Sequence, residues 1–192
     1  MSKKDKFFLK VLFVVSCAVL IYIPFAQAEK VVEGKTFYTT ANIWYEHPDK
    51  IFSTNYHTGA IIPIGTKVTI KEVRDKEIQF ISEKEQTFKI IFLKKHSKPG
   101  MTVWDYFEQY FSEENPLRER GAFHKFSEDE KRNIKVGEIA MSMSRAAVLM
   151  AYGYPPSHRT PSLKSDVWIY WTSRFEQTTV HFKDDKVTKI GY

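Results

Sequence analysis

The sequence predicts an α+β fold: a small β-barrel or roll over residues 35–98, a helical connector over 99–126, and a helix on an antiparallel sheet over 127–192. Three observations lead there. Apolar and polar residues alternate with period two at short intervals between Lys35 and Lys95. A basic bend, Lys94-Lys95-His96-Ser97-Lys98, closed by Pro99-Gly100, then breaks the pattern. Beyond it, helix-capping residues come before two alternating strand runs. The composition, 43% hydrophobic and 27% charged over 192 residues, is that of an ordered globular chain. Aromatics at 15% suit thin cores that bulky rings must fill.

The first 28 residues read as a secretory signal peptide. Lys3, Lys4, Lys6 and Lys10 make a basic start, Val11 to Phe25 is an uncharged and mostly apolar run, and Ala26-Gln27-Ala28 supplies small residues for cleavage. Two readings stand beside this one. The uncharged stretch Val11–Ala28 is at the short edge of the ~20 residues that span a bilayer, so it can serve as an uncleaved anchor. Val14-Val15-Ser16-Cys17 is similar to a lipobox, which would lipidate Cys17, although the apolar run continues past the Cys. Cleavage after Ala28 removes 28 of 192 residues and leaves 164. It also removes four Lys and Asp5, taking the net charge from +6 to +3. So small a surplus gives little support for nucleic-acid binding. The single Cys goes with the leader, which excludes thiol catalysis, a disulfide framework and a Cys-based zinc site.

In the first module, Lys67-Val68-Thr69-Ile70 places Val68 and Ile70 on one face. Ile78–Ile81 and Thr87–Leu93 follow as strands, and Ile61–Thr66 leads into the first of them through Pro63 and Gly65. Thr40-Ala41-Asn42-Ile43-Trp44 and, after a loop, Ile64-Gly65-Thr66-Lys67-Val68-Thr69-Ile70 resemble the bacterial SH3-like domain. Trp44 stands where that family often has Arg, and Glu46-His47-Pro48-Asp49 replaces its usual turn.

Thr102 is placed to cap a helix through Asp105 to Phe111, with Val103, Trp104, Phe107, Tyr110 and Phe111 on one stripe. Ser127-Glu128-Asp129-Glu130 spells a capping box for a short helix that Lys135-Val136-Gly137 interrupts. Ser144 opens a small-faced helix (Ala146, Ala147, Val148, Leu149, Ala151) suited to lying on a sheet. Gly153, expected in a left-handed conformation, and Pro155-Pro156 end it. Val167 to Thr172 and Thr178 to Phe182 are strands, and Lys183-Asp184-Asp185-Lys186 turns the second into Val187–Ile190.

Met143-Ser144-Arg145-Ala146-Ala147-Val148, Gly153-Tyr154-Pro155, Trp168-Ile169-Tyr170 and Val180-His181-Phe182 with the hairpin to Val187 resemble the SmpA/OmlA (BamE-like) family of outer-membrane assembly proteins. Three positions depart from that pattern. Ser142 replaces a Gly, Ala147 replaces a Glu that would complete a capping box with Ser144, and Asp185 replaces a hairpin Gly. Cleavage after Ala28 also removes the Cys that the family lipidates.

No cofactor or metal is expected. His47, His57, His96, His124, His158 and His181 lack the i, i+4 spacing with a Glu of a helical metal site. The chain has no Gly-x-Ser-x-Gly elbow, phosphate-cradling loop or nucleotide fingerprint. Two aromatic groups are the candidate binding residues. One is Trp44, Tyr45, Tyr56 and His57, beside the loop of the first module; the other is Tyr152, Tyr154, Arg159 and Trp168, at the helix exit. Each group reads either as a partner-binding rim or as core, with Trp44 inside and Tyr45 on the rim in the first, and Tyr154 and Trp171 closing the helix–sheet core in the second. The expected function is that of a non-enzymatic exported protein of the periplasm or cell envelope that binds other envelope proteins. Two alternatives are a peptidoglycan-binding SH3-like protein and a periplasmic enzyme inhibitor, since the second module also resembles proteinaceous β-lactamase inhibitors. Membrane association is expected only if Cys17 is lipidated or the leader retained.

Overall fold

A computed structural model describes residues 31–191, so the expected leader and Cys17 lie outside the described residues. The described chain is α+β. Its first part holds β1 (Thr36–Thr39), β2 (Ile43–Tyr45), β3 (Ile51–Phe52), β4 (Ala60–Ile62), β5 (Lys67–Arg74), β6 (Glu77–Ser82) and β7 (Thr87–Ile91). Helix α1 (Val103–Tyr110) and β8 (Phe111–Ser112) follow, then α2 (Glu128–Val136), α3 (Arg145–Tyr152) and β9 (Val167–Trp171), β10 (Gln177–Lys183), β11 (Lys186–Gly191).

Period-two alternation builds the large sheet. Val68 and Ile70 of β5, Ile78 and Phe80 of β6, and Phe88 and Ile90 of β7 all point into one core. Phe80 and Phe88 are cross-strand partners whose rings stack at 5.3 Å. The strand order is β3-β7-β6-β5-β1-β8, antiparallel except for the β3–β7 pair, and the sheet curls into a half-barrel. The segment expected to lead straight into β5 instead peels away: β4 pairs with β2 as a separate two-stranded ribbon, and the chain turns at Pro63–Thr66 before β5 begins.

Helix α1 lies against this sheet, with Phe107 edge-on to Phe37 at 5.1 Å. Its buried stripe is Val103, Tyr106, Phe107 and Tyr110, so Tyr106 joins the residues expected there and Trp104 is only partly covered. Thr102 and Asp105 form a reciprocal capping box at its start.

The second apolar cluster joins Ala147, Val148 and Ala151 of α3 to Trp168, Tyr170, Val180, Phe182 and Val187 of the sheet β11-β10-β9. The buried face of β9 is therefore Trp168 and Tyr170; Trp171 lies on the other face, not in the helix–sheet core. Asp184 and Asp185 both take positive φ (50° and 64°), the geometry of a two-residue turn that fits strand twist. Gly153 differs from expectation. Its φ is +79° but its ψ is −173°, an extended mirror conformation that essentially only glycine adopts, not a left-handed helical cap. Residues 31–191 gather as one compact unit. Among the described residues no helix is long and apolar enough to cross a membrane.

Candidate functional site

A line of buried polar side chains ties the two apolar clusters together and thereby positions the aromatic residues. Asn42, fully buried, donates from Nδ2 to the carbonyls of Ile134 (2.7 Å) and Ala151 (2.9 Å), and its Oδ1 accepts from the Ile64 N–H (2.8 Å). Both helix carbonyls belong to C-terminal turns, whose acceptors lack partners within their own helix. Asn55 accepts from the Trp44 N–H (2.8 Å) and reaches the carbonyls of Asn42 and Tyr152 with its amide. Asn55 has φ 50°, a conformation that Asn tolerates better than most residues.

This seam brings Trp44 and His57 of the first expected group onto Tyr152 of the second. The His57 ring lies flat on Tyr152, with centroids 3.5 Å apart and planes 10° apart. Trp44 and Tyr170 meet the same imidazole edge-on at 5.5 and 5.6 Å. His57 Nε2 donates to the Tyr152 carbonyl at 2.8 Å, while Nδ1 stands 3.2 Å from the Trp171 carbonyl. Burial pushes the imidazole down to about 4, against the pull of both carbonyls. The neutral ring has one N–H, so it serves one carbonyl at a time.

Outside this knot lies a groove of about 290 Å³, lined in part by Trp44, Tyr45, Phe52, Tyr56, Lys50 and Arg174. Tyr45 is rooted edge-on to Phe88 (5.2 Å) and Tyr56 edge-on to Phe52 (6.1 Å). Lys50 Nζ lies 5.8 Å from the centre of the Phe52 ring. Trp44 forms the groove's inner wall, and its six-membered ring packs against Gly137, where a Cβ would come within 2.8 Å of it. Glu46, His47, Thr58 and Ser173 add polar groups. Such a wall offers ring faces, cations and hydroxyls to an extended chain laid along it.

The other expected residues are placed differently. Tyr154 is half-buried, donates its backbone N–H to the Tyr110 hydroxyl (2.9 Å) and borders a second cavity. Arg159 is exposed and lines neither cavity. Trp168 is fully buried against Phe182 (4.5 Å), beyond the reach of a ligand.

Glu130, read from the sequence as the capping-box acid of α2, has a second role that the sequence did not show, and together with Arg145 it holds the C-terminal part in register. Glu130 caps two helices. Its Oε2 accepts from the Ser127 N–H (3.1 Å) and its Oε1 from the Ser144 N–H (2.8 Å), with Lys186 at 3.4 Å. Burial raises its proton affinity, but those backbone donors outweigh it and hold the carboxyl at about 2. Glu130 thus does for α3 what a Glu at position 147 would have done. Arg145 lies over Phe182 (4.3 Å) and reaches Asp166, Asp185 and the carbonyls of Leu163 and Ser165.

In the groove, Lys50, Phe52 and Arg174 were not foreseen. Ile51-Phe52 is an apolar pair inside a polar loop, which is a local signal. Arg174 comes from the distant β9–β10 loop, and nothing near it in sequence marks its destination. Family models, curated proteins and solved structures give no match to this chain.

Proposed function

We propose that this chain is a non-enzymatic interaction module of the cell envelope, exported on the 1–28 leader, which binds an extended segment of another envelope protein in the groove of Trp44, Tyr45, Phe52 and Tyr56. The groove is the observation that carries the reading. Its aromatic faces stand on a buried frame, so they are fixed before a ligand arrives, and ordering them costs little on binding. Lys50, Arg174 and Glu46 in its lining suit a chain bearing both signs of charge. The finer reading pairs an SH3-like module over residues 35–98 with a BamE-like module over 127–192. The β5-β6-β7 meander supports the first, and α3 packed on β9–β11 supports the second.

The test is affinity capture from envelope extracts with the wild-type chain and with Tyr56→Ala/Arg174→Glu. The expected result is one protein retained by the wild type and lost with the variant. Equal retention by both removes the groove from the account. Sedimentation with purified peptidoglycan separates the cell-wall alternative: the same variant dependence there, with no protein captured, replaces a protein ligand with glycan or stem peptide.

A further inference from the structure

A second cavity, of about 360 Å³, lies where the 94–101 bend, α1 and the 154–164 loop meet, and it shares no residue with the groove. Its size is that of a small-molecule site. His96, Lys98 and Lys164 border it, and none of its lining residues is Asp or Glu.

Three of its hydroxyls are left as donors, while those of Ser97 and Ser157 are spent on the Leu93 carbonyl and Met101 Sδ. Ser53 Oγ accepts from the Leu93 N–H (2.9 Å), Thr160 Oγ1 from the Ile169 N–H (2.9 Å) and Ser162 Oγ from the Lys164 N–H (3.1 Å). Each hydroxyl therefore keeps its hydrogen to give. Among the described residues none of these hydrogens has an acceptor, and Thr160 is only 3% exposed. His96 adds a buried Nδ1 without a partner. Its proton affinity is lowered by burial, then by neighbouring His158 and Lys95, which marks the surroundings as electropositive.

The rest of the wall is apolar, with Met101 and Pro156 buried and Leu163 38% exposed. Lys98 also borders an adjoining hollow that holds Asp105 and Glu108. Those carboxylates disfavour a second negative charge at that end.

We infer that this cavity binds a small amphiphile carrying one anionic group, its carboxylate or phosphate held by His96, Lys98, Lys164 and the hydroxyls of Ser53, Thr160 and Ser162, its apolar part against Met101, Pro156 and Leu163. Carboxylate and phosphate amphiphiles share this chemistry, and the probes separate them. The full chain is titrated with octanoate, octyl phosphate, inorganic phosphate and 1-octanol, followed by calorimetry and amide chemical shifts. At least one of the two acids binds saturably, shifting the amides of Ser53, Lys98, Thr160 and Lys164. Inorganic phosphate and octanol each bind about tenfold more weakly or worse. Lys164→Glu, at an exposed position, weakens the acid about tenfold, whereas Lys50→Glu in the groove leaves it unchanged. Tighter octanoate identifies a fatty-acid-like ligand, and tighter octyl phosphate a phospholipid-like headgroup. The inference is overturned if neither acid saturates, if octanol or bare phosphate binds as well as the acids, or if the folded Lys164→Glu chain binds them undiminished.

Discussion

His57 and Tyr152, 95 positions apart, stack face to face at 3.5 Å, and the same imidazole donates to the backbone carbonyl of the tyrosine it covers. One ring thus joins the β3–β4 loop to the end of α3. Its second nitrogen faces the Trp171 carbonyl on the edge of β9, so three segments meet there.

This contact makes stability depend on pH. In the unfolded chain His57 titrates near 6.5; in the folded chain burial holds it at about 4. The unfolded state therefore binds the proton first as pH falls. Stability is fully present above 6.5 and declines between 6.5 and 4, by about 3 kcal/mol if this group acts alone. Denaturant unfolding across that window measures the slope. His57→Gln lowers stability at pH 7 and flattens the slope; an unchanged slope in the variant would assign the effect to another group.

Glu130 acts in a lower window with the same sign. Its folded value of about 2 lies below the ordinary 4.5, so its contribution is present above 4.5 and lost as pH falls toward 2. Glu130→Ala orphans the N–H groups of Ser127 and Ser144 and leaves Lys186 without its carboxylate. The expected cost is about 2–4 kcal/mol, measured by unfolding at pH 7. Glu128→Ala, on the exposed face of the same helix, leaves stability nearly unchanged, because its ion pair with Lys131 is screened by solvent.

Gly153 carries two constraints at once. Its φ of +79° disfavours any side chain, and a Cβ there would lie 2.5 Å from Asn55 Nδ2 and 2.7 Å from the Tyr110 hydroxyl. Gly153→Ala should cost more than about 3 kcal/mol, because the seam cannot yield without breaking Asn55's bonds. A loss below about 1 kcal/mol would show the seam to be loose.

Gly137→Ala tests the groove from behind. The added methyl presses on Trp44 and Ile61, side chains that can move, at a residue with φ +74°. A loss of about 1–3 kcal/mol is expected, with a changed Trp fluorescence spectrum and weakened groove binding. Unaltered binding would separate Trp44 from the ligand.

The strands and caps were legible because their signals are local. The alternation in Lys67–Ile70 and the spacing of Ser127 and Glu130 are visible within four residues. Alternation alone does not say which face is covered, so Trp168 and Trp171 could not be told apart before β9 was set against α3. The departures at Ser142 and Ala147 became intelligible only in three dimensions. Ser142 takes the positive φ (67°) for which a glycine suits, and Glu130 reaches across to cap Ser144. Arg145 and Asn42 act on partners far along the chain, and Arg174 lines a groove built mostly of residues 44–58; no window of sequence holds both ends of such a relation.

The claim that the groove receives another envelope protein is tested most directly by photo-cross-linking in living cells. A photoreactive phenylalanine analogue is placed at Tyr56 and, as a control, at exposed Lys84 in the β6–β7 turn. One discrete protein adduct from position 56, absent from position 84 and abolished by Arg174→Glu, is the predicted result. Adducts of equal yield at both positions, or none at 56 in a folded and exported chain, would contradict it.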